Sequence, residues 1–451
     1  MRKFYTGMSF FLMTFLPISS AQAVTDADIE ALRNEIKSMK QSYEGRITEL
    51  EAKLEVFEAE KAKAEDMKVK KESSIASGRK IYDNEFNPSI SVILNGKYSS
   101  FSSKDSEISG FAVGEEGERG NEGFAVDESE LNFSANIDDK FYGSVTAAIV
   151  REEGEDKVEL EEAYVQTLAG LSLPNGLTAK AGRAFWTFGY LNEHHSHADD
   201  FADRPLPNRV FLNKSYNDDG LEVSYVLPTD LYAEIGGGLF RGDDIPFGGS
   251  DGEDLDAWSA YARIGGDIGD NMSWRLGGYV LSGESDEGRS TNEDAVIFIG
   301  DTDLYAGDLR FTWAPTGNQR NQEITLQGEY FWRDEDGTYE DLDTGTGAVT
   351  FDDKSDGWYA QVVYKFLQQW RVGLRYSELE SPDVPAGLVG SVLDSGGHDS
   401  KATAIMADWT NSEFSRLRLQ YNHEELSDNQ NDDQIMVQYI MSLGAHGAHK
   451  Y

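Results

Sequence analysis

The stretch HHSHADDFADRP, positions 194 to 205, sets three of the chain's seven histidines within four residues and follows them with three aspartates. Imidazoles beside carboxylates allow two chemistries. One is a metal site: His194, His195 and His197 with nearby acids suit Zn²⁺ or a similar ion, and His195 and His197 share one face of an extended segment. The other is a charged loop, Glu193, His194, His195, His197, Asp199, Asp200 and Asp203, lying where solutes must pass. The histidine spacing matches no strong metal motif, so a polar loop is the preferred reading and metal binding its rival. His446 and His449 form a looser pair near the end of the chain.

The chain opens with Arg2 and Lys3, an apolar run from Met8 to Ile18, and Ala21-Gln22-Ala23. These are the parts of a secretory signal peptide with a small-x-small cleavage site. Removing residues 1–23 takes away two cations, so the net charge of the remainder is −41 − 2 = −43. Nucleic acid is excluded as a partner, because phosphates are bound by Lys and Arg that release counterions. With no cysteine, disulfides and thiolate metal sites are excluded too. No run reaches the ~18 consecutive apolar residues of a membrane-spanning helix. The 45 Gly, 21 Tyr, 23 Phe and 8 Trp suit instead an exported β protein with aromatic belts.

Two periodicities divide the rest of the chain. Between 24 and 74 there is no proline, and apolar residues fall at Ile29, Leu32, Ile36, Met39 and Tyr43, then at Ile47, Leu50, Leu54 and Phe57. That three-four alternation, slipping by one residue near Gly45, is the seam of an α-helical coiled coil. It predicts a periplasmic stalk joining a homotrimer, with residues 75–88 as linker.

Beyond Asn84 the period becomes two. Trp358, Ala360, Val362, Tyr364 and Phe366 alternate with a second face, and Leu417, Leu419 and Tyr421 alternate with the polar Arg418, Gln420 and Asn422. Sixteen such segments are expected between 89 and 443: 89–102, 126–137, 140–151, 157–168, 176–187, 218–227, 231–241, 255–267, 272–284, 300–313, 322–334, 356–366, 370–380, 401–411, 415–426 and 433–443. Joints such as 138–140, 228–230 and 367–369 are tight, while those between them are long, acidic and glycine-rich. Short turns on one rim and long loops on the other define an all-β antiparallel transmembrane barrel. An even strand count returns the chain to its starting rim, so both termini, including a tail at 444–451, are expected in the periplasm. One segment breaks phase: Val158, Leu160, Glu162 and Tyr164 would turn Glu162 toward lipid, which calls for a bulge or a subunit interface there.

The runs NEFNPSISVILNGKYSSF (84–101), DESELNFSANIDDKFYGS (127–144), DDFADRP (199–205) and SLGAHGAHKY (442–451) resemble a family of Gram-negative outer-membrane proteins. In that family a helical segment precedes a porin-like barrel, and relatives are sometimes labelled receptors dependent on the TonB energy coupler. Such receptors carry a globular plug inside about twenty-two strands, and this chain has length for neither. Its plan is more similar to the trimeric DcaP-type porins. The resemblance implies that the third long loop, from Phe188 to Asn217, folds into the lumen.

Taking each strand's polar phase as inward, cations recur at Lys180, Arg263, Arg275, Arg310, Lys365, Arg371, Arg375 and Arg418. An arginine facing lipid near the midplane would cost ~2–4 kcal/mol, so these should face water. The acidic loop opposite such a ladder would create a transverse field in a constriction. The expected function is passive diffusion of small hydrophilic solutes through the outer membrane. The rival functions are a metal- or substrate-specific uptake channel and a barrel-anchored tether or adhesion protein; no catalytic constellation stands out and no cofactor is expected. Outer-membrane lipid and lipopolysaccharide are the expected surroundings. Acidic clusters at Asp334-Glu335-Asp336, Glu340-Asp341 and Asp352-Asp353 could bridge divalent cations to lipopolysaccharide phosphates, but solvated loops are the preferred reading.

Overall fold

The computed structural model describes residues 88–444 apart from 153–154, 169–170, 172, 249–254 and 429. The signal peptide, the stalk, nearly all of the linker, and His446 and His449 lie outside the described residues. Sixteen antiparallel strands close into a barrel. In chain order they are β1 Ser89–Phe101, β2 Gly123–Asn136, β3 Phe141–Glu152, β4 Glu155–Thr167, β5 Leu177–Phe185, β6 Asn217–Val226, β7 Tyr232–Phe240 and β8 Ala257–Ile268. The second half comprises β9 Met272–Thr291, β10 Val296–Trp313, β11 Glu323–Asp341, β12 Val349–Leu367, β13 Trp370–Glu380, β14 Lys401–Ser412, β15 Ser415–Ser427 and β16 Gln430–Gly444. Closure comes from β1 pairing with β16, Ser91 opposite Gly444, which puts the start and end of the barrel on one rim.

Most joints on that rim are short, as at 137–140, 269–271, 368–369 and 413–414, while 168–176 and 314–322 are longer. The other rim departs from expectation. Segments 102–122, 186–216, 241–256 and 381–400 are long, but β9 to β12 run on past their expected ends, and β9 meets β10 across only 292–295. The three acidic clusters therefore sit on strands rather than in loops. Above the apolar band the outward face meets water while the inward face mixes buried Arg289, Glu335 and Asp341 with buried Phe298, Tyr339 and Phe351, so alternation in polarity stops marking the strand while backbone pairing continues. Here Asp334 stands opposite Lys354, with a 2.6 Å ion pair between them.

Polarity is reversed relative to a soluble protein. Leu276, Leu309, Leu326, Leu374, Leu419 and Val437 are exposed on the outside, whereas Gln327, Arg375, Arg418, Gln420, Asn422 and Gln438 are buried within. Only hydrocarbon around the ring makes that distribution stable. The interior is not uniformly wet, however. Inward Phe240, Leu281, Leu304, Phe331, Leu379 and Leu426 are buried with Phe111, Trp186, Phe188, Phe211, Tyr216 and Phe247 from the long segments. Those segments fold back onto the wall and build an apolar core inside the ring.

Leu419 tests the outer face. Leu419→Arg should lower stability by ~2–4 kcal/mol if it lies near the midplane, measured by urea titration of folding into lipid vesicles. A loss under ~0.5 kcal/mol, as at an ordinary surface position, would deny hydrocarbon contact there.

Candidate functional site

Segment 186–216 leaves β5 where the Trp186 indole donates to the Asp218 carbonyl at 2.8 Å. Gly189 has φ of +74°, and a Cβ there would lie 2.2 Å from a Glu329 carboxylate oxygen. A side chain at 189 would push away the β11 carboxylate that accepts the Leu191 N–H at 3.0 Å. Two 3₁₀ turns follow, Leu191–Glu193 and Ser196–Ala198, and then helix α1, Leu206–Leu212. Every α1 residue is buried, and Asn213 ends the helix in the left-handed conformation.

The segment bonds to strands all round the ring. Ser196 donates to Glu128 of β2, the Ala202 N–H to Gln420 of β15 at 2.7 Å, and Leu191 to Glu329 of β11. Only a segment inside a closed barrel can reach all three. These bonds hold segment 186–216 against β2, β11 and β15.

The acidic loop and the basic wall touch instead of facing each other across a gap. Arg263 meets Glu193 at 2.5 Å, Arg371 meets Asp200 at 2.6 Å, and Arg375 meets Asp203 at 2.7 Å. Arg418 donates to the Asp199 carbonyl at 2.7 Å, and Arg275 lies 3.8 Å from Glu193. In so enclosed a space an unpaired charge is costly, and contact offsets that cost. The remaining predicted cations do other work. The Arg310 guanidinium stacks over Tyr190 at 4.6 Å and Lys180 over Trp186 at 4.8 Å, while Lys365, opposite Arg371 in the β12–β13 register, donates to the Gln319 carbonyl.

Several partners escaped the sequence reading. Arg204 holds Asp199 at 2.6 Å, Arg209 holds Glu424 at 3.1 Å, Arg416 donates to the His197 carbonyl at 2.5 Å, and Asp408 joins Arg371 to Arg418. Arg416 was readable, since it shares the phase of Arg418. Arg204 and Arg209 lie in irregular backbone, where no period points a side chain.

Burial alone would raise the carboxyls of Asp200 and Asp203, yet the arginines around them hold both below the usual range, with Arg371 dominant for Asp200 and Arg375 for Asp203. Asp199 is pushed up to about 7 by burial, which Arg204 only partly offsets.

The three histidines separate. His194 stacks on Tyr190, donates to its carbonyl at 2.8 Å and is held down to about 4 by burial. His195 and His197 stack together with ring centroids 5.7 Å apart. His197 lies 2.6 Å from Glu130 and is lowered to about 3, by burial first and the nearby His195 second. His195 sits among three carboxylates: Glu130 at 3.2 Å, Glu161 at 3.3 Å and Glu162 at 3.1 Å. Burial opposes its charge, but these carboxylates, Glu130 foremost, raise its pKa well above the ordinary value.

The phase break at Glu162 is a bulge. Thr146 of β3 pairs with Glu162, while the next residue, Ala147, pairs with Leu160, leaving Glu161 extra. Such an insertion re-aims side chains, and here it turns two consecutive glutamates toward His195.

Beside the loop lie two cavities, the first against β1 to β5 and β15 to β16, the second against β1 to β9. One of about 950 Å³ is lined by Lys97, Asp127, Glu128, Glu159, Arg183 and Lys214 among others. The second, of about 430 Å³, lies toward the short-turn rim and is lined by Ser91, Asn132, Lys180, Glu222 and Glu234 with His194 and His195. The apolar core leaves water this side of the lumen.

No family model matches the chain. A protein of Aquifex aeolicus (strain VF5), described as uncharacterized, is 28% identical over 396 residues, which span 81% of this chain and 80% of that protein. Among solved structures, the outer membrane channel DcaP of Acinetobacter baumannii is similar with a TM-score of 0.50 at 12% identity, covering 79% of this chain and 97% of that one. A loop L8 deletion mutant of OmpT, an outer membrane protein of Vibrio cholerae, also reaches 0.50 at 12% identity, covering 79% and 99%. At these identities the likeness is one of fold.

The ion pairs set a pH window. Because the native pKa values of Asp200 and Asp203 lie below the unfolded value near ~3.9, their pairing stabilises the docked loop at every pH above that value and is lost as pH falls through the native one. Asp199, raised to about 7, works the other way, so amide exchange of 199–205, corrected for intrinsic rate, should be slowest near pH 5 to 6, quickening below the ordinary carboxylate range and again as pH rises through about 7. Arg375→Met should quicken it at neutral pH, with a docking loss of up to ~3 kcal/mol for the stranded buried carboxylate.

Proposed function

We propose that the chain is an outer-membrane porin through which small hydrophilic solutes diffuse passively, exported by the signal peptide at 1–23 and trimerised by the periplasmic stalk at 24–74. The observation that carries this reading is the pair of polar cavities, about 950 and 430 Å³, running along one side of an inward-folded loop inside a closed barrel. A tether needs no internal polar space, and an enzyme would need groups aimed at one reacting atom. Arg371 and Arg375 fix the loop from the far wall and Arg263 fixes it at the edge of the smaller cavity, and the loop narrows what is left.

Solutes pass over a wall of mixed charge in which carboxylates outnumber cations in the larger cavity. With the arginine ladder largely neutralised by its own pairs, the passage prefers cations weakly. The periplasmic placement of both barrel ends follows from their shared, short-turn rim. Support for a trimer comes from the stalk's apolar stripe.

Purified protein in planar bilayers should give stable open channels, with a small reversal potential of cation sign in a salt gradient. Deleting 191–199 should raise single-channel conductance several-fold. A protein that inserts, as judged by protease protection, yet never conducts would end the porin reading.

A further inference from the structure

The bulge that turns Glu161 inward builds more than a docking surface. His195 Nδ1 lies 3.2 Å from Glu130 Oε2 and 3.3 Å from Glu161 Oε2, and the three atoms converge within 4.8 Å of one another. Tetrahedral coordination with ligand bonds of about 2.0 Å separates neighbouring ligand atoms by about 3.3 Å. His195 Nδ1 and Glu161 Oε2 are shielded from solvent, and neither makes a hydrogen bond. When Nε2 carries the imidazole proton, Nδ1 turns a lone pair toward two carboxylate oxygens. A cation at their centre resolves that arrangement.

The surroundings orient each ligand. His195 Nε2 lies 3.1 Å from Glu162 Oε2, so it donates there and leaves Nδ1 free to ligate. His197 Nδ1 lies 2.6 Å from Glu130 Oε1 and steers the other oxygen of that carboxylate toward His195. The edge of Phe185 packs on the His195 ring at a centroid distance of 5.0 Å and fixes its plane. A carboxylate behind the ligating histidine and a donor behind the ligating carboxylate are the supports that metal sites need to hold their ligands in place.

We propose that His195, Glu130 and Glu161 bind a divalent transition cation of the Zn²⁺ class, with one coordination position left open. One nitrogen and two carboxylate oxygens suit such an ion better than Ca²⁺ or Mg²⁺, which take oxygen ligands in larger number. The site joins the loop to β2 and β4 between the two cavities: Glu161 lines the larger and His195 and Glu130 line the smaller. Bound metal therefore pins the loop against the wall along the polar passage. This goes beyond the porin reading and does not rest on it.

The full chain, purified in detergent and stripped with chelator, is titrated with Zn²⁺ by calorimetry at pH 7. One ion per chain should bind with micromolar affinity or tighter. His195→Asn and Glu161→Gln should each weaken binding at least 100-fold, and Glu162→Gln, which removes only the support behind His195, by about 10- to 100-fold. His398→Asn, in the distant segment 381–400, should bind as the parent does. Heat-dependent gel migration checks that each variant is a folded barrel, and Glu162→Gln keeps the test decisive if a ligand variant fails to fold. Parent binding no tighter than millimolar would overturn the proposal, leaving His195 as a protonated partner of its three carboxylates. Tight binding unchanged in His195→Asn and Glu161→Gln would overturn it also, placing the ion on other carboxylates. Calorimetry reads the site whether or not the channel conducts, so its failure and that of the porin reading are separable.

Discussion

A ring of sixteen strands encloses more space than the side chains of its own wall can fill. Either water fills it or chain must. Here both do, in different sectors. Segment 186–216 crosses the lumen and, with parts of 102–122 and 241–256, packs Phe188, Phe211, Tyr216 and Phe247 against Phe331, Leu281 and Leu379 of the wall. Apolar burial at roughly 25 cal/mol per Å² pulls the loop to that side. The β1 to β5 side keeps its water and its charges.

Electrostatics then fixes register within the loop. An apolar patch alone would let an irregular segment settle in many ways. The contacts of Glu193 with Arg263, Asp200 with Arg371 and Asp203 with Arg375 each specify one residue against one strand position. Buried pairs of this kind add little net stability over apolar substitutes, but breaking one is expensive. They act as locators. Because the same arginines neutralise the loop's acids, they contribute less to the field along the passage than their number implies.

Backbone irregularity decides the other contact. β4 loses a ladder position at its bulge and gains two adjacent glutamates on the wet side, where regular alternation would have supplied one. The β1–β2 pair has a second register shift, between Ile93 and Asn95, opposite the Glu128 and Glu130 region. Two departures from regular pairing thus converge on the histidines of one loop, and the boundary between the cavities is built from them.

The sequence by itself determined the class of fold and its sixteen strands, because strand alternation acts residue by residue over short spans. It even marked Glu162 as out of phase. It misplaced the acidic clusters of β11 and β12, since the inward face there mixes buried Glu335 and Asp341 with Tyr339 and Phe351 and polarity no longer alternates with the pleat. Tertiary structure alone decided that the loop's acids touch the arginines, that His194 parts from His195 and His197, and that Glu130 meets Glu161. Those contacts join residues far apart in the chain through a ring closure and a bulge, and no local period encodes where an irregular segment comes to rest inside a closed wall.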